Sequence, residues 1–188
     1  SVGGALASRD IKPILYYGSS ITQGGCASRP DHSYQAFISK KNNIDFINLG
    51  FSGNAKGERA VARYLAGIAC SVAVIDYDHN APDARHLAAT HEELFRIFRE
   101  AQPDTPVILV SKPDAERDAE GDKRRGIIRE TYRNAIARGD KNVAFVDGRE
   151  LFGDLREECT VDGCHPNDIG FYRMAEVIAN AVDTALKL

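Results

Sequence analysis

Two short segments near opposite ends of the chain contain the residue types used in nucleophilic catalysis. Ser20 stands in the stretch Gly-Ser-Ser-Ile-Thr-Gln-Gly-Gly at residues 18–25, and Asp162 stands three residues before His165. A serine hydroxyl is a weak nucleophile until a neutral imidazole accepts its proton, and a carboxylate orients that imidazole. We therefore predict Ser20 as a nucleophile, His165 as its general base and Asp162 as the group that orients the base.

Each segment alone is compatible with other roles. A glycine- and serine-rich turn after a strand also suits phosphate binding or simply begins a helix, although the Gly-Lys-Ser/Thr of a P-loop is missing here. An isolated Asp-x-x-His is more often a hydrogen-bonded turn or part of a metal site than a catalytic pair. The prediction therefore depends on what accompanies the two segments.

Two further segments offer donors for a negatively charged oxygen. Gly53 has no side chain to block the approach to its backbone N–H, and Asn80 supplies a neutral side-chain amide. An enzyme that attacks an acyl group has to stabilise the oxyanion that develops, and removing one donor typically costs on the order of a hundredfold in rate. Either segment alone is also compatible with ordinary turn chemistry.

The remaining sequence indicates how these segments could be brought together. Apolar runs of strand length, rich in β-branched or aromatic residues and of the kind that is buried on both faces, occur at residues 13–17, 45–49, 72–76, 106–111 and 143–147. Apolar spacing typical of helices occurs at residues 34–41, 58–69, 85–101, 123–138 and 169–188. This alternation predicts an α/β fold, a flavodoxin-like three-layer α/β/α sandwich with a five-stranded parallel sheet.

Ligands of such sheets bind outside the carboxyl ends of the strands. Ser20, Gly53 and Asn80 each follow a predicted strand, and His165 precedes the last helix, whose first turn Asn167 or Asp168 can cap. The topology thus predicts that all four segments meet at one edge of the sheet.

In this order the four segments resemble the sequence blocks of the SGNH/GDSL hydrolase superfamily. The matching residues are Ser20 in Gly-Ser-Ser, Gly53 in Gly-Phe-Ser-Gly-Asn, Asn80, and His165 in Asp-Gly-Cys-His-Pro. The first block has Ser19 where the family name implies Asp, and the third lacks the usual Gly-x-Asn-Asp. The resemblance extends from the first strand to the last helix, and it implies an oxyanion hole made by the N–H groups of Ser20 and Gly53 and the amide of Asn80.

The resemblance also implies an activity, the hydrolysis of short-chain, above all acetyl, esters on carbohydrates, through an acyl-enzyme and without a cofactor or metal. The alternatives are thioester or lysophospholipid hydrolysis and a carbohydrate-binding module that has lost catalysis. A metallohydrolase is the rival chemistry, with the ligand types Asp76, Asp78, His79, Asp162 and His165. Variants with Gly-Ser-Ser often follow an N-terminal β-rich domain, so we expect residues 1–188 to be one SGNH domain that could be cut from a longer protein.

Composition argues against several classes of partner. A formal net charge of −3 over 188 residues provides no basic footprint for nucleic acid. No apolar run approaches the ~20 residues that a membrane-spanning helix needs, so no membrane span is expected. The expected partner is a small-molecule or glycan ester. Oligomeric state and compartment stay open, and secretion or a periplasmic location would follow if a bacterial precursor carried a signal peptide.

Some residues near the predicted site carry weaker expectations. Arg29, His32 and His79 flank the site segments and are predicted to contact substrate, whereas His86 and His91 lie on a predicted helix and are expected at the surface. An arginine can bind a polar substrate, but a solvent-facing arginine is the more common case.

Cysteines and a charged segment complete the sequence-based expectations. Cys70 stands in an apolar stretch and is expected to be a buried thiol, whereas Cys26 and Cys164 adjoin site segments, where a disulfide is an open alternative. Residues 112–125 form a strongly charged connection after the fourth predicted strand. We expect a solvated loop there in preference to a lid.

Overall fold

A five-stranded sheet forms the centre of the protein, in a computed structural model that describes residues 9–113 and 119–187. Its strands are β1 (Ile14–Gly18), β2 (Phe46–Gly50), β3 (Val72–Asp76), β4 (Val107–Val110) and β5 (Val143–Val146). All neighbours are parallel, and their order is β2-β1-β3-β4-β5. This is the flavodoxin-like doubly wound order, so the predicted fold is confirmed.

Helices cover both faces of this sheet. They are α1 (Ser20–Gln23), α2 (Tyr34–Asn42), α3 (Arg59–Ala66), α4 (Ala84–Ala101), α5 (Ala119–Ala137), α6 (Gly148–Leu151) and α7 (Asp168–Leu186). Ser33, Asp83 and Asn167 cap the first turns of α2, α4 and α7 with their side-chain oxygens. Within the described residues, no helix combines the length and hydrophobicity needed to span a bilayer.

Side chains of β1 alternate between two hydrophobic cores. Ile14 and Tyr16 pack on the face covered by α2 and α7, whereas Leu15 and Tyr17 pack on the face covered by α3, α4 and α5. Strands covered on both faces read as continuous apolar runs, and β1, β3 and β4 are buried at every position. The strands β2 and β5 were also predicted as buried, but they are only partly so because each lies at an edge with one neighbouring strand.

Strand register places the carboxyl ends of three strands side by side. Gly18, the last residue of β1, pairs with Gly50 of β2 and with Asp76 of β3. The connections that follow these strands therefore start at the same level and at the same edge. These are the connections that contain Ser20, Gly53 and Asn80.

Two further local expectations were wrong. The helix predicted from residue 123 begins at Ala119, so the charged segment 112–125 is partly helical, while residues 114–118 lie outside the described residues. Acidic Glu120 and Asp122 occupy the first turn of α5, where negative charge complements the helix dipole. His91 is not at the surface but 2% exposed, because it lies on the buried face of α4, four residues after Leu87 and three before Leu94.

Candidate active site

Ser20 is the first residue of α1, directly after the end of β1. Ser19 has extended backbone and caps this one-turn helix by accepting the N–H of Ile21 at 3.1 Å. Gly18 permits the tight turn, because a Cβ there would lie 2.1 Å from the carbonyl oxygen of Asp76. The turn holds a half-buried Ser20 at the carboxyl edge of the sheet.

Asp162 and His165 lie on the loop before α7. The Asp162 carboxylate accepts hydrogen bonds from other groups of this loop. Asp162 Oδ1 accepts the backbone N–H of Cys164 at 2.9 Å and that of His165 at 2.6 Å. Gly163, which follows Asp162, has a φ of +81°, a left-handed conformation that costs glycine little. Asp162 Oδ2 lies 2.8 Å from His165 Nδ1. The carboxylate therefore binds both the backbone and the imidazole of the same segment.

Ser20 Oγ lies 2.9 Å from His165 Nε2, although 145 positions separate the two residues. A carboxylate only accepts hydrogen bonds, so Asp162 favours the ring tautomer with its proton on Nδ1, which leaves the Nε2 lone pair for the Ser20 hydroxyl. Hydrogen bonds from the backbone and ring of His165, and then from the Cys164 N–H, lower the pKa of Asp162 to about 2. An ionised carboxylate, an imidazole and a hydroxyl thus form one hydrogen-bonded line.

The donors predicted for an oxyanion lie on neighbouring connections. The N–H of Phe51 donates to Gly18 O at 2.8 Å, which ties the connection after β2 to β1. The N–H of Ala55 donates to Asn80 Oδ1 at 3.3 Å, so the acceptor side of this amide is occupied and its Nδ2 is the available donor. Within the described part of the chain, neither Asn80 Nδ2 nor the N–H of Gly53 has a hydrogen-bond partner.

Two carboxyl groups that the sequence offered as metal ligands are directed into the protein instead. Asp76 Oδ2 accepts the hydroxyls of Thr22 and Tyr34, each at 3.2 Å. Asp78 Oδ2 accepts the N–H of Lys112 at 3.0 Å. Among the residues that the structure describes, no group of three or more His, Cys, Asp or Glu side chains could hold a metal ion. Among the described residues, the five ligand types counted in the sequence therefore do not form one metal-binding cluster.

Arg29 and His32 follow the nucleophile segment, as expected, but both have partners within the protein. The Arg29 side chain is 61% exposed and pairs with Asp31 at 2.8 Å. His32 Nδ1 lies 2.8 Å from Asp168 Oδ2, and the ring stacks on Phe37 with centroids 5.3 Å apart. Their contact with substrate stays a prediction.

His79 lies beside the loop from Asp162 to His165. Its Nδ1 is 3.8 Å from Cys164 Sγ, and its enclosed Nε2 has no hydrogen-bond partner among the described residues. Burial, and then the nearby positive groups, lower the pKa of His79 to about 3, so the ring is neutral at physiological pH. Cys70 is buried as predicted, while Cys26 and Cys164 are both exposed and no disulfide joins them.

Arg124 of α5 was not predicted as part of the site. Its Nη1 donates to the carbonyl oxygens of Asp78 and Ala81, which lie on either side of Asn80. The sequence signal was the basic run Lys-Arg-Arg at residues 123–125. Charge alone does not show which backbone groups such a run contacts.

A protein-family model, described as the GDSL-like Lipase/Acylhydrolase family, matches residues 11–183. The chain belongs to this family. The membership confirms the resemblance seen in the four sequence blocks. Among curated protein sequences, none matches it.

Solved structures share the fold of this GDSL-like chain. A Bacteroides ovatus protein described as a GDSL-like lipase is 33% identical, with a TM-score of 0.85, over 94% of this chain and 54% of its own. A two-domain esterase active on acetylated mannans is 26% identical, with a TM-score of 0.71, over 94% of this chain and 50% of its own. A family two carbohydrate esterase from Clostridium thermocellum, 18% identical over 97% of this chain and 67% of its own at a TM-score of 0.76, shows the fold alone. The chain thus spans about half the length of the first two proteins.

Proposed function

We propose that this chain is a serine esterase that removes short acyl groups, above all acetyl, from carbohydrate esters. The observation that carries the proposal is the line from Ser20 Oγ to His165 Nε2 at 2.9 Å and from His165 Nδ1 to Asp162 Oδ2 at 2.8 Å. This geometry puts a nucleophile, a base and an orienting carboxylate in hydrogen-bond contact. Ser20, His165 and Asp162 are the catalytic residues of the proposal.

The geometry suits acyl transfer in two stages. As Ser20 Oγ attacks the ester carbonyl carbon, its proton passes to His165 Nε2, and the carbonyl oxygen becomes an oxyanion that the donors of Ser20, Gly53 and Asn80 stabilise. Collapse of this intermediate releases the alcohol, which takes the proton from His165. Water then attacks the acyl-enzyme with His165 again as base, and the acid leaves as Ser20 regains its proton.

The surroundings of the triad support a carbohydrate ester over a long acyl chain. The side chains of His165 and Asp162 are 31% and 49% exposed, so the base lies at an open edge that can admit a polymer. A long acyl chain is better held by an enclosed apolar cavity than by such an open edge. The likeness to an esterase active on acetylated mannans gives the same indication.

The reaction class is tested by Ser20→Ala on p-nitrophenyl acetate. We expect the variant to lose at least about 10³-fold in kcat, as removal of a triad nucleophile does, and to lose labelling by a serine-directed fluorophosphonate. Ser71→Ala is the matched control. Ser71 lies before β3 and its hydroxyl contacts Pro13 O at the amino ends of the strands, away from the site. The control should keep wild-type activity and labelling.

Absence of labelling in the wild-type protein would favour a carbohydrate-binding module and overturn the esterase. Labelling with turnover that a chelator abolishes would point to metal chemistry instead.

The substrate class is decided by a panel of acyl esters and acetylated glycans. We expect kcat/KM to fall steeply from acetyl to longer chains, and acetate to be released from acetylated oligosaccharides. A preference for long acyl or thioester substrates would replace the carbohydrate ester by the thioesterase or lysophospholipase alternative while leaving Ser20 as nucleophile.

A further inference from the structure

Arg124 joins α5 to the turn that contains Asn80. Its Nη1 donates to Asp78 O at 2.9 Å and to Ala81 O at 3.1 Å, and its side chain is 11% exposed. The two carbonyl groups flank Asn80 in the sequence. One guanidinium nitrogen therefore holds both ends of the turn whose middle carries a predicted oxyanion donor.

The Asp78 carboxyl group strengthens this connection. Its side chain is 0% exposed, and Arg124 Nη1 lies 3.4 Å from its Oδ1, while the Lys112 N–H donates to its Oδ2. Burial raises the pKa of Asp78, and the Lys112 N–H and the Arg124 charge act against that rise. Loss of Arg124 would leave two backbone carbonyls and a buried carboxyl group with fewer donors, so the turn would have to move to regain hydrogen bonds.

We infer that Arg124 is a positioning residue for the oxyanion hole, which it serves by fixing the turn from Asp78 to Ala81 so that the Asn80 amide faces the reacting carbonyl oxygen. The inference rests on the proposed esterase function. Among the described residues, Arg124 makes no hydrogen bond to Ser20 or His165, so it acts through the turn. A displacement of about 1 Å at a reacting centre can cost about 10²-fold in rate.

The test compares Arg124→Met with a matched control, Arg99→Met. The Arg99 side chain is 16% exposed, and its Nη1 also donates to backbone carbonyls, those of Gln102 at 2.9 Å and Thr105 at 2.6 Å. These carbonyls precede β4, so they lie at the amino ends of the strands, away from the site. Both variants should melt at lower temperature than the wild type.

Measured well below both melting temperatures, Arg124→Met should lose about 10- to 100-fold in kcat on p-nitrophenyl acetate with KM nearly unchanged. Arg99→Met should keep the wild-type kcat. Equal kcat values for the two variants would overturn the inference, because they would show a purely structural role.

A double-mutant cycle with Asn80→Ala identifies the group through which Arg124 acts. Asn80→Ala alone should lower kcat by about 10²- to 10³-fold, and adding Arg124→Met to it should change kcat by less than about twofold. Fully additive losses would contradict action through Asn80. Arg124→Gln, whose short amide cannot bridge both carbonyls, gives the same reading should the methionine variant fail to fold.

Failure of the inference is distinguishable from failure of the proposed function. A wild-type protein that shows neither fluorophosphonate labelling nor ester turnover overturns the function itself. An active wild type that is impaired by Asn80→Ala but not by Arg124→Met keeps the function and overturns only the role of Arg124.

Discussion

At the end of β3, the Asp76 side chain is a buried carboxyl group beneath the nucleophile turn. The residue is 2% exposed, and its Oδ2 accepts two hydroxyl groups, those of Thr22 and Tyr34. Burial raises the pKa of Asp76 to about 8, against the opposing effect of these two hydrogen bonds. The folded protein therefore holds a protonated carboxyl group under conditions in which the unfolded chain ionises it.

This shift predicts a pH-dependent stability that depends on one residue. The folded pKa lies above the unfolded one, so the stability linked to Asp76 is full below about pH 4 and is lost as pH rises towards about 8. Asp76→Asn removes the ionisation. The free energy of unfolding of this variant, relative to that of the wild type, should therefore be higher at pH 8.5 than at pH 5. Urea unfolding at the two pH values measures the difference.

The control for this prediction is Asp122→Asn. Hydrogen bonds from Arg125 lower the pKa of Asp122, so this residue is ionised in both the folded and the unfolded chain over the same interval. Its removal should shift the free energy of unfolding equally at both pH values. If the pH profiles of Asp76→Asn and the wild type run parallel, the proposed protonation of Asp76 is wrong.

Individual residues differ in how far the sequence alone could predict them. The pairing of Asp162 with His165 is local, because the two residues are only three positions apart and Gly163 between them permits the turn, so the spacing itself indicated the contact. Arg124 contacts Asp78 across 46 positions, and no short-range spacing encodes such a contact. His91 is an intermediate case, since the helical spacing of Leu87 and Leu94 places position 91 on the buried face, but its polar character suggested the surface.

At the scale of elements, the turn from β1 into α1 is the tightest part of the site. Besides the contact with Asp76, a Cβ on Gly18 would lie 2.0 Å from Thr22 Oγ1, and one on Gly50 would lie 2.2 Å from the backbone nitrogen of Gln23. Backbone segments from three strands therefore approach each other where only glycine fits. This close approach fixes the position of α1 and with it the direction of the Ser20 side chain.

Gly18→Ala tests the importance of this approach. The added methyl group must displace α1 or the end of β3, and such overpacking typically costs about 1–3 kcal/mol. We expect a lower melting temperature together with at least about a tenfold loss of kcat, because the Ser20–His165 hydrogen bond depends on the position of α1.

The matched control for this change is Gly126→Ala, also a glycine-to-alanine substitution. Gly126 lies inside α5, and a Cβ there meets nothing within 4 Å. Alanine is the better helix former by up to about 1 kcal/mol, so the control should be slightly more stable than the wild type and fully active. Normal activity of Gly18→Ala would show that the site tolerates a shifted α1.

The sequence predicted which segments form strands and which form helices. It predicted the ends of these elements and the exposure of their residues only in part. Buried apolar runs indicated all five strands within one or two residues of their bounds. Edge positions of β2 and β5 could not be read from those runs, since strand order is set by how crossover helices pack and not by the strands themselves. The start of α5 at Ala119 was hidden because acidic residues in a first helical turn resemble a charged loop.

At the scale of the whole molecule, the packing of α7 positions His165 beside Ser20. The helix packs with α2 over the core that also contains Tyr16 of β1. A second tie lies at its first residue, where Asp168 accepts the Ser28 N–H at 2.9 Å and the Ser28 hydroxyl at 2.6 Å. The segments that carry Ser20 and His165 are therefore joined by the same packing that closes the core, and activity should depend on global folding.

Ile178→Ala tests this dependence without touching the site. Ile178 is 0% exposed in the middle of α7, 13 positions after His165, and removing its side chain should lower the free energy of unfolding by about 2–5 kcal/mol. Below its melting transition the variant should keep the wild-type kcat, since the loop from Asp162 to His165 has its own hydrogen bonds. On heating, the midpoints of activity and of far-UV circular dichroism should fall together, by the same number of degrees. Loss of activity well before loss of helical signal would show instead that α7 undocks as a separate unit and that the loop from Asp162 to His165 leaves Ser20 before the sheet unfolds.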